Sequence, residues 1–210
     1  ALSTAAGRPL EGVMAVHLAS RLSGLFNSAR LGAEDVTETR VRLVDSQQVS
    51  MGTGLLVIVA ARAAQAGLGL DEIVALVEAR VPRVRLLALL DTLDYVRRSG
   101  RLGPARWLLG TLLNIKPIIE VRHGELLPPV ELVRTRNHGL ERLIELATEI
   151  APFEELAVVH ARAPKLAATL LDRLTSLHPR DQIICGEVGV TIGTYAGPGA
   201  VGFICVQRGD

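Results

Sequence analysis

Aromatic residues are scarce in this chain. Phe, Trp and Tyr together supply 3% of its 210 residues, against 49% that are apolar. Any interior must therefore be built from Ala, Val, Leu and Ile, with few flat rings on which nucleic-acid bases could stack. An excess of charge of one sign is lacking too, since 23 basic and 22 acidic residues leave a net charge of +1. Without a basic field, nucleic acid is not an expected partner. Long apolar runs are missing as well: Arg62 interrupts the longest, Leu55 to Ala66, well short of the roughly 18 uncharged residues of a membrane span. A soluble chain without stable membrane insertion is expected. Cysteine is limited to Cys185 and Cys205, too few for a disulfide framework or a four-cysteine zinc site. Both lie in apolar, strand-like segments and read as buried, reduced thiols in a cytosol. The opening residues, Ala1 to Gly12, are small and polar, unlike the basic-then-apolar order of a secretion signal.

The familiar catalytic patterns are also absent from the sequence. It has no Walker-type phosphate loop, no GxGxxG opening a helix, no His-Glu-x-x-His and no GxSxG elbow. His17, His123, His138, His160 and His178 are scattered, with no pair at helical spacing to hold a metal. The expectation is a protein without its own catalytic site, without a metal and without a cofactor.

What is present alternates. Gly12 to Ala19 is a short apolar run ending at Ser20, the pattern of a buried strand with a polar carboxyl end. A helix is expected from Ser23 or Gly24 to about Leu31, a second strand over Val41 to Val44, and a small-residue helix from Gly52 to Ala66 closed by Gly67. Strand, helix, strand, helix implies a parallel sheet. Asp71 to Arg80 carries apolar residues at helical spacing behind two acidic residues that suit a helix N-terminus. Val84 to Leu90 reads as a strand, Asp91 to Arg98 as a helix breaking at Gly100, and Ala105 to Leu113 as a second short helix. Ile115 to Val121 and Leu132 to Arg134 read as strands around a turn at His123-Gly124. The remainder predicts helices at Gly139 to Glu149 and Pro164 to Leu177, with strands at Leu156 to His160, Gln182 to Val190 and Val201 to Val206. The fold class is therefore α/β: a parallel-sheet lobe over residues 1–92 and a second α/β lobe with a mixed sheet over 93–210, with the seam near Asp91 to Arg101.

The candidate site residues follow from this layout, because ligands of open parallel sheets gather at the carboxyl ends of strands. Ser20, Ser23, Asp45 and Ser46 all fall there. A hydroxyl at Ser23, beside Gly24 at a helix start, can cap the helix, the commoner role, or help the free amides hold an anion. Arg101, bounded by Gly100 and Gly103, could pair with a carboxylate, although a Gly-bounded Arg after a helix is more often a C-cap with a surface charge. Lys116 beside Pro117 interrupts an apolar strand and must point to water or to a partner charge. Gly197-Pro198-Gly199 reads as a rigid chain reversal.

The run Asp91-Thr92-Leu93-Asp94-Tyr95-Val96, then Ser99-Gly100-Arg101-Leu102-Gly103, Leu109-Gly110 and Leu112-Leu113-Asn114-Ile115-Lys116-Pro117-Ile118, resembles the central signature of the DegV family. Leu22-Ser23-Gly24, Val44-Asp45-Ser46 with Ser50-Met51-Gly52, Val133-Arg134-Thr135 and Gly197-Pro198-Gly199 resemble its other landmarks, in order and across essentially the whole chain. The resemblance implies a bacterial two-domain α/β protein that clasps a long-chain fatty acid between its lobes and presents it to a separate ATP-dependent fatty-acid kinase. It implies that Ser23, in its Ser-Gly motif with Gly24, binds the carboxylate, and that Arg101 and Arg134 lie near the head group and the kinase-facing surface. Two departures stand out. The family's upstream strand and its Thr-Ser-x-Pro-Ser motif do not occur before Ser20, so the sequence is expected to lack the family's N-terminal portion. Tyr195 stands where the family has His, two residues before Gly-Pro-Gly. A phosphotransfer or kinase-related component, or a ligand-free interaction module, are the alternatives.

Overall fold

The computed structural model of the chain describes residues 12–101 and 115–209. The first apolar run forms β1 (Val13–His17), followed by α1 (Leu25–Glu34), and the second forms β2 (Val41–Asp45). β1 and β2 pair in parallel, in a register running from Val13 opposite Val41 to His17 opposite Asp45. α2 (Met51–Gln65) buries Leu55, Leu56, Val59 and Ala63, and α3 (Leu70–Glu78) buries Ile73, Val74 and Val77. Residues three and four apart share one helix face, so these positions form a stripe on each helix. α3 also begins as its acidic first turn implies, with the Glu72 carboxylate accepting from Gly69 N at 2.8 Å.

The chain then builds a seven-stranded sheet from β3 (Val84–Leu89), β4 (Lys116–Arg122), β5 (Glu125–Leu126), β6 (Glu131–Val133), β7 (Phe153–His160), β8 (Ile183–Glu187) and β9 (Val201–Gln207). The strand order is β5-β4-β3-β9-β7-β8, with β6 also on β4. β7 and β8 run parallel, and the other pairs are antiparallel. The fold is thus α/β, a parallel pair followed by a mixed sheet. α4 (Asp94–Ser99) stops at Gly100, which takes the left-handed conformation at φ 71°. α5 (Arg136–Ile150) is capped by Thr135, whose side chain accepts from His138 N at 3.2 Å. α6 (Pro164–Leu174) and α7 (Val190–Ala196) complete the described helices.

The larger sheet has helices on both faces. Leu87, Leu89, Leu156, Val158, Phe203 and Cys205 face α5 and α6 in one core. Val84, Leu86, Ala157, Ile204 and Val206 share the other core with α2 and α3. Gln48, 1% exposed, ties the β2–α2 loop to this sheet, its Nε2 donating to Val84 O at 3.0 Å and to Val121 O at 3.1 Å.

Several sequence expectations need correction. β3 precedes the expected seam near Asp91 and pairs with β4 and β9 inside the larger sheet. The segment expected to continue as strand to Val190 ends at Glu187, and Val190–Ala196 is helical. The strand stops before Gly189, which leads into α7, and α7 packs on α4. The His123-Gly124 turn, with φ of 52° and 77°, leads into β5 and not straight to the Leu132 strand. Cys205 is buried and its thiol is pushed up to about 12 by burial, whereas Cys185 is exposed. The helix expected over 105–113 lies outside the described residues.

Candidate functional site

The loops that leave the carboxyl ends of β1 and β2 are locked side by side. Asp45 accepts from Ser20 N at 3.2 Å and from Gln47 N at 2.8 Å. Ala19 N donates to Gln48 O at 2.8 Å. Ser23 sits in the first loop, where its Oγ accepts from Leu25 N at 3.3 Å. That bond leaves the Ser23 hydroxyl proton free to be donated to a ligand.

A cavity of about 230 Å³ lies between these loops, α4, α7 and the larger sheet. The sheet register explains its floor. Ile119, Ala88, Gly202 and Val159 stand in one row across β4, β3, β9 and β7, and all four line the cavity. The two middle positions carry one methyl group and none, so the row sinks at its centre. Leu86 and Val121 border it on one side, and Leu90, Ala200 and Ala161 on the other. The result is an aliphatic furrow that runs across the strands.

Polar atoms enter from the rim. Ser99 ends α4, and its Oγ donates to Val96 O at 2.6 Å while accepting from Arg101 N at 3.2 Å. Arg101 folds back so that one guanidinium nitrogen donates to Ser99 O at 2.6 Å, and its guanidinium carbon lies 5.8 Å from the centre of the Tyr195 ring on α7. This is cation–π geometry, and among the described residues the remaining guanidinium N–H groups have no hydrogen-bond partner. Among the described residues Arg101 is the one guanidinium on the cavity wall, and no carboxylate lines it. His160 also borders the cavity, with Nδ1 accepting from Ala163 N at 3.3 Å. An apolar trough with a cation and several hydroxyls at its rim suits an amphiphile with an anionic head.

Asp91 braces the neighbouring wall. Its carboxylate accepts from Lys116 Nζ at 2.9 Å and from Arg136 Nε at 2.9 Å, and a second Arg136 nitrogen donates to its other oxygen. The hydrogen bond from Arg136, helped by Lys116, holds the Asp91 carboxyl at about 2. A Cβ on Gly199 would come within 2.4 Å of Asp91 Oδ2, and one on Gly197 within 2.3 Å of the Tyr95 ring. The Gly-Pro-Gly turn is therefore pressed between α4 and this ion cluster, and no side chain larger than hydrogen fits at either glycine.

Of the residues singled out in the sequence, Ser23, Arg101 and Tyr195 come together on the cavity wall. Gly24 only leads into α1 and does not line the cavity. Arg134 is exposed just after β6 and does not line it either. Ser50, Ser99 and Thr191 were not singled out, yet all three line it. Ser99 could have been found beside Arg101, and Ser50 from its place after β2, while Thr191 falls just past the strand expected to end at Val190 and carried no signal. Among the described residues no group of His, Cys, Asp or Glu could hold a metal ion, and no helix is long and apolar enough to cross a membrane.

The family model described as "Uncharacterised protein, DegV family" matches residues 4–208. The chain belongs to the DegV family. A DegV domain-containing protein of Streptomyces coelicolor is 36% identical over 201 residues, covering 94% of this chain and 71% of that protein. The DegV fold also recurs in solved structures. One from Thermus thermophilus, described as fatty acid binding of a DegV family protein, matches with a TM-score of 0.85 at 27% identity, covering 94% of this chain and 71% of that one. DegV of Bacillus subtilis, described as a fatty acid binding protein, matches with a TM-score of 0.78 at 29% identity over the same shares.

Proposed function

We propose that this chain binds a long-chain fatty acid in the cavity above the larger sheet. The observation that carries the reading is the cavity itself: an aliphatic furrow with Ser23, Arg101 and Tyr195 at its polar rim. The tail would lie along the row from Ile119 to Val159. The carboxylate would meet the Arg101 guanidinium, whose planar fork suits a carboxylate, with the Ser23 and Tyr195 hydroxyls as further donors. The fatty acid binding described for the Thermus thermophilus and Bacillus subtilis relatives supports this assignment.

Burying about fifteen methylenes at roughly 0.8 kcal/mol each supplies on the order of 12 kcal/mol before ordering costs, so the polar contacts need only orient the acid. The same reading makes the protein a carrier that offers its acid to a separate kinase, with the exposed Arg134 on the surface turned to that partner. Mass spectrometry of an organic extract of the purified protein tests the first step. The expected result is one long-chain acid per chain. Repeated preparations of folded protein that hold no lipid, and take up none when it is supplied, refute the reading.

A further inference from the structure

Ser50 stands immediately before α2 and lines the cavity, but its hydroxyl makes no hydrogen bond among the described residues and does not cap the helix it precedes. Its backbone is unusual as well, at φ 54° and ψ −138°, a region that glycine enters freely and serine rarely. The surrounding loop enforces this conformation. Ser46 and Thr53 share a hydroxyl–hydroxyl bond of 2.8 Å, Thr53 Oγ1 also donates to Gln48 O at 3.3 Å, and Gly52 N donates to Val49 O at 3.0 Å. The loop therefore holds a serine where glycine would be the easier residue, on the wall of a largely aliphatic cavity.

We infer that Ser50 is a second hydroxyl contact to the head group, its O–H donating to the carboxylate of the bound acid from the β2–α2 loop while Ser23 donates from the β1–α1 loop. The inference rests on the fatty-acid reading above. The two loops are fastened to each other by the Ala19–Gln48 bond and follow neighbouring parallel strands. Arg101 and Tyr195 approach from α4 and α7. A carboxylate has about four acceptor positions, enough for the Ser23, Ser50 and Tyr195 hydroxyls and one guanidinium N–H group.

The test compares wild type, Ser50→Ala and Ser50→Gly for equilibrium binding of palmitate and of methyl palmitate, alongside thermal midpoints. Both variants should bind palmitate about tenfold more weakly, the usual scale for losing a hydrogen bond to a charged group, and bind the ester nearly as wild type does. Ser50→Gly should melt no lower than wild type, because it keeps the left-handed backbone without the Cβ; a loss of palmitate in that variant is then a loss of the hydroxyl. Palmitate affinity within twofold of wild type in both variants overturns the inference and leaves the fatty-acid reading standing. An equal loss for acid and ester overturns it too, since a contact to the carboxylate must discriminate between them. Wild-type protein that binds neither lipid overturns both.

Discussion

The two faces of the larger sheet are built from the same strands but filled to different depths. Toward α5 and α6 the side chains are large and fully covered: Phe203 and Leu87 are 0% exposed, and Phe153 packs against Phe203 with ring centres 6.4 Å apart. Toward the cavity the same strands present Ala88, Gly202, Ala200 and Ala161. β9 makes the contrast within neighbouring residues, since Gly202 borders the cavity and Phe203 belongs to the helix-covered core. Alternation along a strand decides only which face a residue takes. Side-chain volume then decides whether that face becomes a core or a container.

The contrast can be broken from the filled side first. Phe203→Ala should cost about 3–5 kcal/mol of stability in urea unfolding, because the covered face has nothing to move into the gap. A cost under 1 kcal/mol would mean that face is not close-packed.

The next largest effect lies where the two faces meet. Asp91 joins Arg136 of α5 to the turn at Gly199, and Asp91→Asn should cost about 2 kcal/mol at neutral pH. Its carboxyl is held below the ordinary value of 3.8, at about 2, so its contribution is fully present above roughly pH 4 and is lost as pH falls through 2. Wild-type stability should therefore decline between pH 4 and 2 more steeply than that of the variant. Parallel pH profiles would show that the ion cluster contributes nothing.

The smallest effect on folding is expected on the cavity side. Ala88→Leu should change the stability of ligand-free protein by less than about 1 kcal/mol, since space is available, while lowering palmitate affinity at least tenfold. A stability loss like that of Phe203→Ala would erase the distinction between the faces.

Much of this architecture was legible in the residues. The apolar runs at Val13 and Val41 with polar carboxyl ends gave the parallel pair, and Gly100 marked where α4 stops. Lys116, set in an apolar strand, announced that it needed an opposite charge. That the charge is Asp91 could not be read, because only the pairing of β3 with β4 brings the two together. The partnership of β3 with β9 was equally hidden, since residues 84–89 and 201–206 are distant in the chain and neither carries a mark of the other. α7 was not read from the sequence because Val190, Thr191 and Thr194 favour strands locally, and its contacts with α4 override that preference. Of the residues named from the sequence, Ser23, Arg101 and Tyr195 lie on the cavity wall. Ser50 stood in the sequence only as part of a motif, because the conformation that distinguishes it belongs to the backbone, and Gly24 and Arg134 lie beside the motifs but off the cavity wall.

The furrow crosses the strands instead of following them, and this sets the unit in which a guest is measured. Neighbouring strands are about 4.8 Å apart, so the four positions from Ile119 to Val159 span roughly 14 Å. An alkyl tail laid there would be counted off strand by strand. Trimming or enlarging the residues at the two terminal strands would change the length on offer, while extending any one strand would leave the ruler unchanged.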